Sequence, residues 1–331
     1  MSYRILEIPA PAALAAIKDG ELYREFDPEQ IVTHAPDHHC AAVDAQGQAQ
    51  ARCSLWWRNV PALVQEALGV IGHYAALNAP ASRFLLDYAC AQLQQRGCTL
   101  AVGPMDGNTW RSYRLVTASS GEPPFFLEPR NPATWPEYWQ QAGFHALATY
   151  SSGLTTDLSQ QDARLARVKQ RLHEHGISLR PLNGAAFEQE LRRIFAVSLV
   201  SFSKNYLYTP LVEADFIQQY RRIQPLVRPE LTLIAEEQGN VVGFLFALPD
   251  LHEQQRGEPL RTVIVKTVAV LPGSRYAGLG ALMVDTVQQH ARALGMTRAV
   301  HALMHDGNNS RNISGHYGTT MRRYTLFARR L

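Results

Sequence analysis

Hydrophobic residues in the second half of the chain recur with two different spacings. Apolar residues three or four apart, such as Leu191, Ile194 and Phe195, predict helices, whereas alternation over short runs predicts strands. The predicted helices cover residues 186–201, 213–223 and 278–294, and the predicted strands cover 177–181, 231–236, 241–248, 262–270, 298–304 and 324–328. This mixture predicts an α/β layered fold of the α+β kind with a largely antiparallel sheet.

A polar stretch at residues 158–175 divides the chain into nearly equal halves. It has the pattern of an exposed helix that ends at Gly176, and a surface helix inside one larger domain is the alternative. A repeat favours two domains, because a helix end, a glycine (Gly97 or Gly295), a strand and Asp-Gly-Asn follow one another in each half. We therefore predict two related domains, each a mixed, largely antiparallel twisted sheet flanked by helices, at residues 1–155 and 176–331, with a helical linker at 156–175.

The composition excludes several classes of protein. Basic and acidic side chains nearly balance, 32 against 29, and no clustered basic stripe predicts nucleic-acid binding. No stretch has the length and hydrophobicity of a signal peptide or a membrane span, so we expect no membrane partner. The four cysteines lack metal-site or disulfide spacing, which predicts reduced thiols in the cytoplasm. His38 and His39 beside Cys40 stand without a second ligand cluster, so we expect no metal.

A glycine-containing turn at residues 275–280 carries the chemistry. The sequence Arg-Tyr-Ala-Gly-Leu-Gly lies between the strand 262–270 and an apolar-faced helix. A helix N-terminus offers unpaired N–H groups and a favourable dipole to an anion, and Gly278 and Gly280 let a phosphate approach the backbone. The turn lacks the dinucleotide fingerprint and the Gly-Lys-Ser/Thr of a P-loop. A turn that simply packs helix on strand is the alternative.

This segment resembles motif A of the GNAT superfamily of N-acetyltransferases, an Arg/Gln-x-x-Gly-x-Gly/Ala pattern after a valine-rich strand. The helix, the strand at 298–304 and the Asn-rich segment after it follow in the same order. The resemblance implies that the turn holds the pyrophosphate of coenzyme A, and that the strand pairs with its pantetheine arm. The implied coenzyme-binding residues are Val268, Ala269, Val270, Arg275, Tyr276, Ala277, Gly278, Leu279, Gly280, Ala281, Asn308 and Asn309.

The N-terminal half resembles the same family with its phosphate turn altered. Its counterpart of the turn, residues 78–83, has no glycine, and Pro80 removes a backbone donor. Residues 138–144, Tyr-Trp-Gln-Gln-Ala-Gly-Phe, resemble a late family signature that the C-terminal half lacks. The resemblance therefore implies a tandem protein whose first domain has lost coenzyme binding.

The resemblance implies direct attack of an amine on the thioester, assisted by a base and an acid. Tyr317 is the candidate acid, with His316 as a substitute and a packed tyrosine as the structural alternative. Glu236, Glu237 and His305 are the candidate bases, although a carboxylate beside a hairpin turn is commonly a solvated edge. The loop at 201–210 is a candidate wall of the acceptor pocket.

Together these features predict an acyl-CoA-dependent N-acyltransferase, with acetyl-CoA as the expected donor and a small-molecule or peptide amine as acceptor. A coenzyme A sensor without turnover is the first alternative. A scaffold that recruits a protein partner through the N-terminal half is the second.

Overall fold

The computed structural model describes residues 2–17, 21–24, 26–160, 162–307 and 318–331. Within these residues, 13 strands form one continuous sheet. Twelve of them follow the order β1-β2-β3-β4-β5-β13-β7-β12-β11-β10-β9-β8, and β6 pairs with β13 beside this path. Most neighbours are antiparallel, and the two parallel pairs are β4–β5 and β11–β12. The predicted fold class is confirmed.

The N-terminal half builds the sheet from β1 to β7. Its strands are β1 Arg4–Glu7, β2 His38–Val43, β3 Ala49–Trp56, β4 Leu68–Ala76, β5 Leu100–Gly103, β6 Leu115–Ser119 and β7 His145–Thr155. Its helices are α1 Glu21–Arg24, α2 Glu29–Thr33, α3 Ala79–Gln95 and α4 Trp135–Gln141, with a 3₁₀ turn at Pro11–Ala16. Every residue of β4 is buried, and the apolar face of α3 packs on the core through Leu85, Leu86 and Leu93.

The C-terminal half repeats this plan around β11 and α9. Its strands are β8 Ile177–Pro181, β9 Thr232–Glu237, β10 Asn240–Pro249, β11 Thr262–Val270, β12 Arg298–His305 and β13 Thr319–Arg330. Its helices are α5 Arg164–Glu174, α6 Phe187–Ser201, α7 Glu213–Arg221, α8 Leu251–Gln255 and α9 Leu279–Ala293. Short 3₁₀ turns occupy Gly184–Ala186, Gln224–Leu226, Pro229–Leu231 and Ser274–Tyr276.

Three predicted elements differ in extent. The helix expected from residue 158 begins only at Arg164, because Asp157 accepts a hydrogen bond from the Ser159 N–H and holds a turn there. The helix expected to reach residue 223 ends at Arg221, since Pro225 favours a separate 3₁₀ turn. The last strand extends well beyond 324–328 at both ends, because β5, β6 and β7 all pair with it.

The strands β7 and β13 each lie beside the other half of the chain. β7 pairs with β12, for example Thr155 opposite Ala299, and β13 pairs with β5, for example Phe327 opposite Gly103. β7 and β13 also pair with each other, with Tyr150 opposite Tyr324. The two halves therefore share backbone hydrogen bonds across one sheet, and the boundaries at residues 155 and 176 stay a prediction.

None of the described helices combines the length and hydrophobicity needed to cross a bilayer.

We expect the shared sheet to couple the unfolding of the two halves. Leu245 in β10 is fully buried in the core cluster of the C-terminal half, so Leu245→Ala should cost about 2–5 kcal/mol of unfolding free energy. All five tryptophans lie at or before residue 139, and of these Trp110 packs against Phe202 and Phe216 of the C-terminal half, so the fluorescence reports mainly on the N-terminal half. The midpoints of the unfolding transitions followed by fluorescence and by circular dichroism should shift to lower denaturant concentration together.

The control is Val212→Ala at an exposed position. Its unfolding free energy should stay within about 0.5 kcal/mol of that of the unaltered chain. A fluorescence transition at the same denaturant concentration in Leu245→Ala and in the unaltered chain would contradict the coupling.

Candidate functional site

Parallel pairing of β11 with β12 stops midway along both strands. The last pair is Val265 with His301, and β11 continues to Val270 without a partner on that side. β12 bends away because its register against β7 shifts between His301 and Met304, and Leu303 adopts a left-handed backbone with φ of 62°. Ser152 Oγ accepts the Leu303 N–H at 2.9 Å and holds this bulge.

The diverging strands open into a cavity of about 630 Å³, within the range usual for small-molecule sites. Its walls come from both halves of the chain. The contributing parts are residues 109–114 and 127–129, the residues 202, 205, 206 and 208 of one loop, the end of α7, and the facing parts of β11 and β12. The loop predicted to shape an acceptor pocket does line this cavity.

Aromatic rings and one buried arginine dominate the cavity wall. The Arg114 guanidinium lies 4.1 Å from the Tyr113 ring centroid, 4.2 Å from that of Tyr150 and 5.6 Å from that of Tyr324. Its Nη1 donates to the Leu303 carbonyl at 3.4 Å, and its Nε is buried without a partner among the described residues. Such an unpaired buried donor is costly unless a ligand or water satisfies it.

His305 and Tyr208 add polar groups to the same wall. The His305 ring packs against Tyr150 and Tyr206, with centroids 5.0 and 5.6 Å away. Burial lowers the pKa of His305 below its usual range, which favours the neutral ring. The Tyr208 hydroxyl is buried with no partner among the described residues, and burial raises its pKa, so it stays protonated.

The turn that follows β11 leaves a helix N-terminus uncapped. Gly278 is the N-cap of α9 with φ of 82°, and no side chain caps this helix among the described residues. The first-turn N–H groups of α9 are thus available to an anion, with the helix dipole in support. This is the geometry that the glycine pattern predicts.

Helix α5 packs over the same turn. A Cβ on Gly278 would lie 2.9 Å from Val168 Cγ1, so glycine is required there by contact as well as by backbone angle. Arg171 of α5 donates to the Ala277 carbonyl. The predicted linker helix therefore forms part of the support of the turn.

Arg275 and Tyr276 are held by their side chains. The Arg275 guanidinium forms an ion pair with Glu237, and the Tyr276 hydroxyl donates to Glu237 at 2.8 Å. These contacts fix the turn against the end of β9 through the side chains of Arg275 and Tyr276.

The remaining predicted site residues lie on β11, on α9 or outside the described residues. Val268 lines the cavity, Ala269 is buried, and the Val270 carbonyl accepts a hydrogen bond from Ser201 at 3.0 Å. Leu279, Gly280 and Ala281 form the first turn of α9. Tyr317, Asn308 and Asn309 lie outside the described residues.

Glu236 lies away from the cavity and is engaged elsewhere. Its carboxylate accepts from Arg180 at 2.8 Å and from Arg193 at 2.6 Å. Arg180 in particular holds the pKa of Glu236 below its usual range, which makes it a poor proton acceptor. The structure thus does not bring Glu236 together with His305.

Sequence reasoning missed Arg114 and Lys266, which also line the cavity, and it included Tyr208 only as part of the loop 201–210. A signal existed for the lysine, because Lys266 is the single charge in the otherwise β-branched and apolar run of β11. Arg114 reaches the cavity from a loop of the N-terminal half, and no local pattern marks it.

The corresponding edge of the N-terminal half is closed by its own chain. Met105 N–H donates to the Ile71 carbonyl at 2.8 Å, and Asp106 accepts from the His73 N–H at 2.6 Å. A Cβ on Gly72 would lie 2.0 Å from the Met105 carbonyl oxygen. The place that stays open beside β11 is thus filled beside β4.

The helix N-terminus of this half is also occupied. Asn78 caps α3 by accepting the Ala81 N–H at 2.9 Å, and Pro80 removes a donor from the first turn. The side chain of Asn78 thus takes the position that an anion would need.

Buried histidines form a hydrogen-bonded cluster near β4. His34, His73 and Asp106 offer atoms within 4.8 Å of one another, a spacing that could hold a metal ion. His34 Nδ1 and His73 Nε2 are 2.8 Å apart, however, whereas tetrahedral zinc ligands lie about 3.3 Å from each other. Burial lowers the pKa of His34 to about 4 and that of His73 to about 2, so one neutral ring donates to the other.

Residues 191–314 match the model of the acetyltransferase (GNAT) family. A bacterial ceramide synthase from Caulobacter vibrioides (strain NA1000 / CB15N) is 27% identical over 189 residues, or 56% of this chain and 48% of the relative. The matched region therefore spans about half the length of that protein.

Solved structures agree in fold at low identity. A glucosamine N-acetyltransferase region of a fungal multi-domain β-N-acetylglucosaminidase has a TM-score of 0.55 at 13% identity, covering 99% of this chain and 38% of that one. A tandem GNAT protein from the clavulanic acid biosynthesis pathway has a TM-score of 0.51 at 11% identity, covering 99% and 98%. An N-acetyltransferase from Sphaerobacter thermophilus has a TM-score of 0.51 at 13% identity, covering 93% and 83%.

Residues 191–314 therefore belong to the GNAT family, and the chain as a whole has the tandem GNAT fold. The resemblance expected from motif A is confirmed.

We expect the cap on α3 to be a structural substitute for an anion. Asn78→Ala should lower the unfolding free energy by about 0.5–2 kcal/mol, because the Ala81 N–H loses its acceptor. Asn78→Asp keeps an acceptor at the N-cap and should retain most of the stability, as measured by denaturant titration. Equal stability of the alanine variant and the unaltered chain would show that the cap contributes nothing.

Proposed function

We propose that the protein is an acyl-CoA-dependent N-acyltransferase that works in the C-terminal half. The observation that carries this proposal is the open edge of β11, which lies between a large cavity and an uncapped helix N-terminus. The three features suit the three parts of an acyl-CoA: the unpaired strand edge suits the pantetheine amides, the helix N-terminus suits the pyrophosphate, and the cavity suits the thioester with its acceptor.

The main chain supplies most of the proposed coenzyme contacts. Residues Tyr276 to Ala281 would face the pyrophosphate, and Val268 would pair with the arm like an added strand. N–H groups of β11 beyond Val265 are suitably placed to meet the oxyanion that forms as the amine attacks. Holding amine and thioester in one cleft supplies much of the rate.

The proposed acid and base that transfer protons are side chains in the cavity or near it. His305 remains a proposed acid or base because it lines the cavity with a neutral ring. Tyr317 stays a proposed acid. The N-terminal half, whose equivalent edge and helix are filled, would supply cavity wall and no second coenzyme site.

The proposed donors and acceptors are not limited to acetyl-CoA and a polar amine. Acetyl-CoA is the first donor to test. A longer acyl-CoA with an apolar amine is a second candidate, since the cavity wall is rich in aromatic rings and the curated relative is named a ceramide synthase. Turnover separates either activity from a coenzyme A sensor, which would bind without releasing thiol.

We expect thiol release to depend on both a donor and an amine. Acetyl-, octanoyl- and palmitoyl-CoA would each be mixed with 2-phenylethylamine, n-octylamine and sphinganine, and free thiol would be followed colorimetrically. Release above the rate without amine supports transfer, and mass spectrometry should then find the amide. Tight donor binding with no amine-dependent release would favour the sensor.

We expect a negative charge at position 280 to weaken donor binding. Gly280 lies in the first turn of α9 and is not among the positive-φ glycines, so its backbone does not require glycine. Gly280→Gln and Gly280→Glu add the same volume, but only glutamate repels the pyrophosphate, so its Kd for acetyl-CoA should be at least ~10-fold higher than that of the glutamine variant.

Calorimetric titration measures both constants, and the control is that the glutamate variant is at least as stable as the glutamine variant. A glutamate at the start of a helix is favourable to the dipole, so the fold should not suffer. Equal affinity of the two variants for acetyl-CoA would contradict binding of the pyrophosphate at this turn.

A further inference from the structure

Lys266 occupies a β-bulge at the point where β11 and β12 separate. On the β10 side, Phe246 lies opposite Thr267 and Ala247 lies opposite Val265, so Lys266 has no partner strand residue. On the β12 side, the last paired residue is Val265. A bulge re-aims the side chain of its extra residue, and here the Lys266 side chain lines the cavity.

No described residue accepts a hydrogen bond from Lys266 or forms an ion pair with it. The acidic group that acts on its charge is Glu128, which already accepts from Arg322 at 2.9 Å and from the Tyr324 hydroxyl at 2.5 Å. A half-buried amine without an acidic partner is costly as an ammonium ion. Structural packing alone does not explain a lysine at this position of an apolar strand.

Other charged and titratable groups face the same cavity. They are Arg111, Arg114, Glu128, His301, His305 and the tyrosines at 113, 150, 206, 208 and 220. Burial is the main cause that lowers the pKa of Lys266 to about 7, the Arg114 charge acts in the same direction, and Glu128 opposes them. The neutral amine is therefore populated above about pH 7.

We propose that Lys266 is the general base that deprotonates the acceptor amine. This role rests on the proposed acyl transfer. The amine enters as an ammonium ion and gives one proton to Lys266 Nζ, which later releases it to solvent. The neutral nitrogen then forms a bond to the thioester carbon, the carbon–sulfur bond breaks with its electron pair on sulfur, and the second nitrogen proton ends on that sulfur as free thiol.

The position of Lys266 distinguishes it from the other candidates. It lies where the strand edge becomes free, which is the place where a thioester held along β11 would meet the cavity. His305 lies at the far end of β12, and its Nδ1 accepts the Gly307 N–H at 3.1 Å. Glu236 is held by two arginines outside the cavity.

The test compares Lys266→Met and Lys266→Arg with the unaltered chain, using the donor and amine of the panel above that release most thiol. Methionine keeps the length without a base, and arginine keeps a cation that holds its proton at neutral pH. The matched control is Lys204→Met, an exposed lysine of the neighbouring loop that does not line the cavity.

For the unaltered chain and the control, kcat at saturating amine should rise as the pH passes about 7 and then level, because only neutral Lys266 accepts a proton. Both Lys266 variants should lose this rise, and their plateau kcat should fall ~10²-fold or more. Calorimetry should show unchanged acetyl-CoA binding in all four proteins.

Three results would overturn the assignment of Lys266 alone. Near-normal kcat in the arginine variant would mean that the charge alone matters, and an intact pH profile in the methionine variant would place the base elsewhere. Loss of acetyl-CoA binding in the methionine variant would make Lys266 a coenzyme contact. Absence of amine-dependent thiol release in the unaltered chain would instead contradict the acyl transfer itself, and the assignment with it.

Discussion

The end of parallel pairing at Val265 and His301 is the constraint on which the rest of the site depends. A parallel strand pair normally satisfies the facing backbone groups of both strands. Here bulges in β11 and β12 turn the strands apart, so that β11 keeps an unpaired edge and a cavity opens beside it. The edge, the re-aimed Lys266 and the access to the cavity all follow from this one interruption, and Ser152 of the N-terminal half holds the β12 bulge in place.

The two halves share one architecture but differ at the strand edge and helix N-terminus, which, in the part of the chain that the structure describes, are free beside β11 and filled beside β4. Beside β4 the free edge is filled by Met105 and Asp106, and the helix behind it is capped by Asn78. Beside β11 neither substitution is present among the described residues. The closed half still has a structural role, because β7 completes the sheet next to β12 and the loops before it build part of the cavity wall.

Local patterns in the sequence sufficed for the parts of the site that depend on short-range order. The valine-rich strand, the glycines of the turn and the following helix are consecutive, so their geometry follows from backbone propensity and helix-end chemistry. The pairing of β7 with β12 and of β13 with β5 joins residues far apart in the sequence, and no local residue pattern predicts it. Glu236 shows the same limit, because only the fold brings Arg180 and Arg193 to it. Lys266 could have been singled out as the charge that breaks an apolar run.

The most direct measurement is a crystal structure of the protein with a non-reactive thioether analogue of acetyl-CoA. We expect one analogue per chain, with its arm along residues 266–270, its pyrophosphate on the first turn of α9, and its acyl group beside Lys266. An analogue bound along β4, or one bound away from the β11 edge, would contradict the proposed coenzyme site.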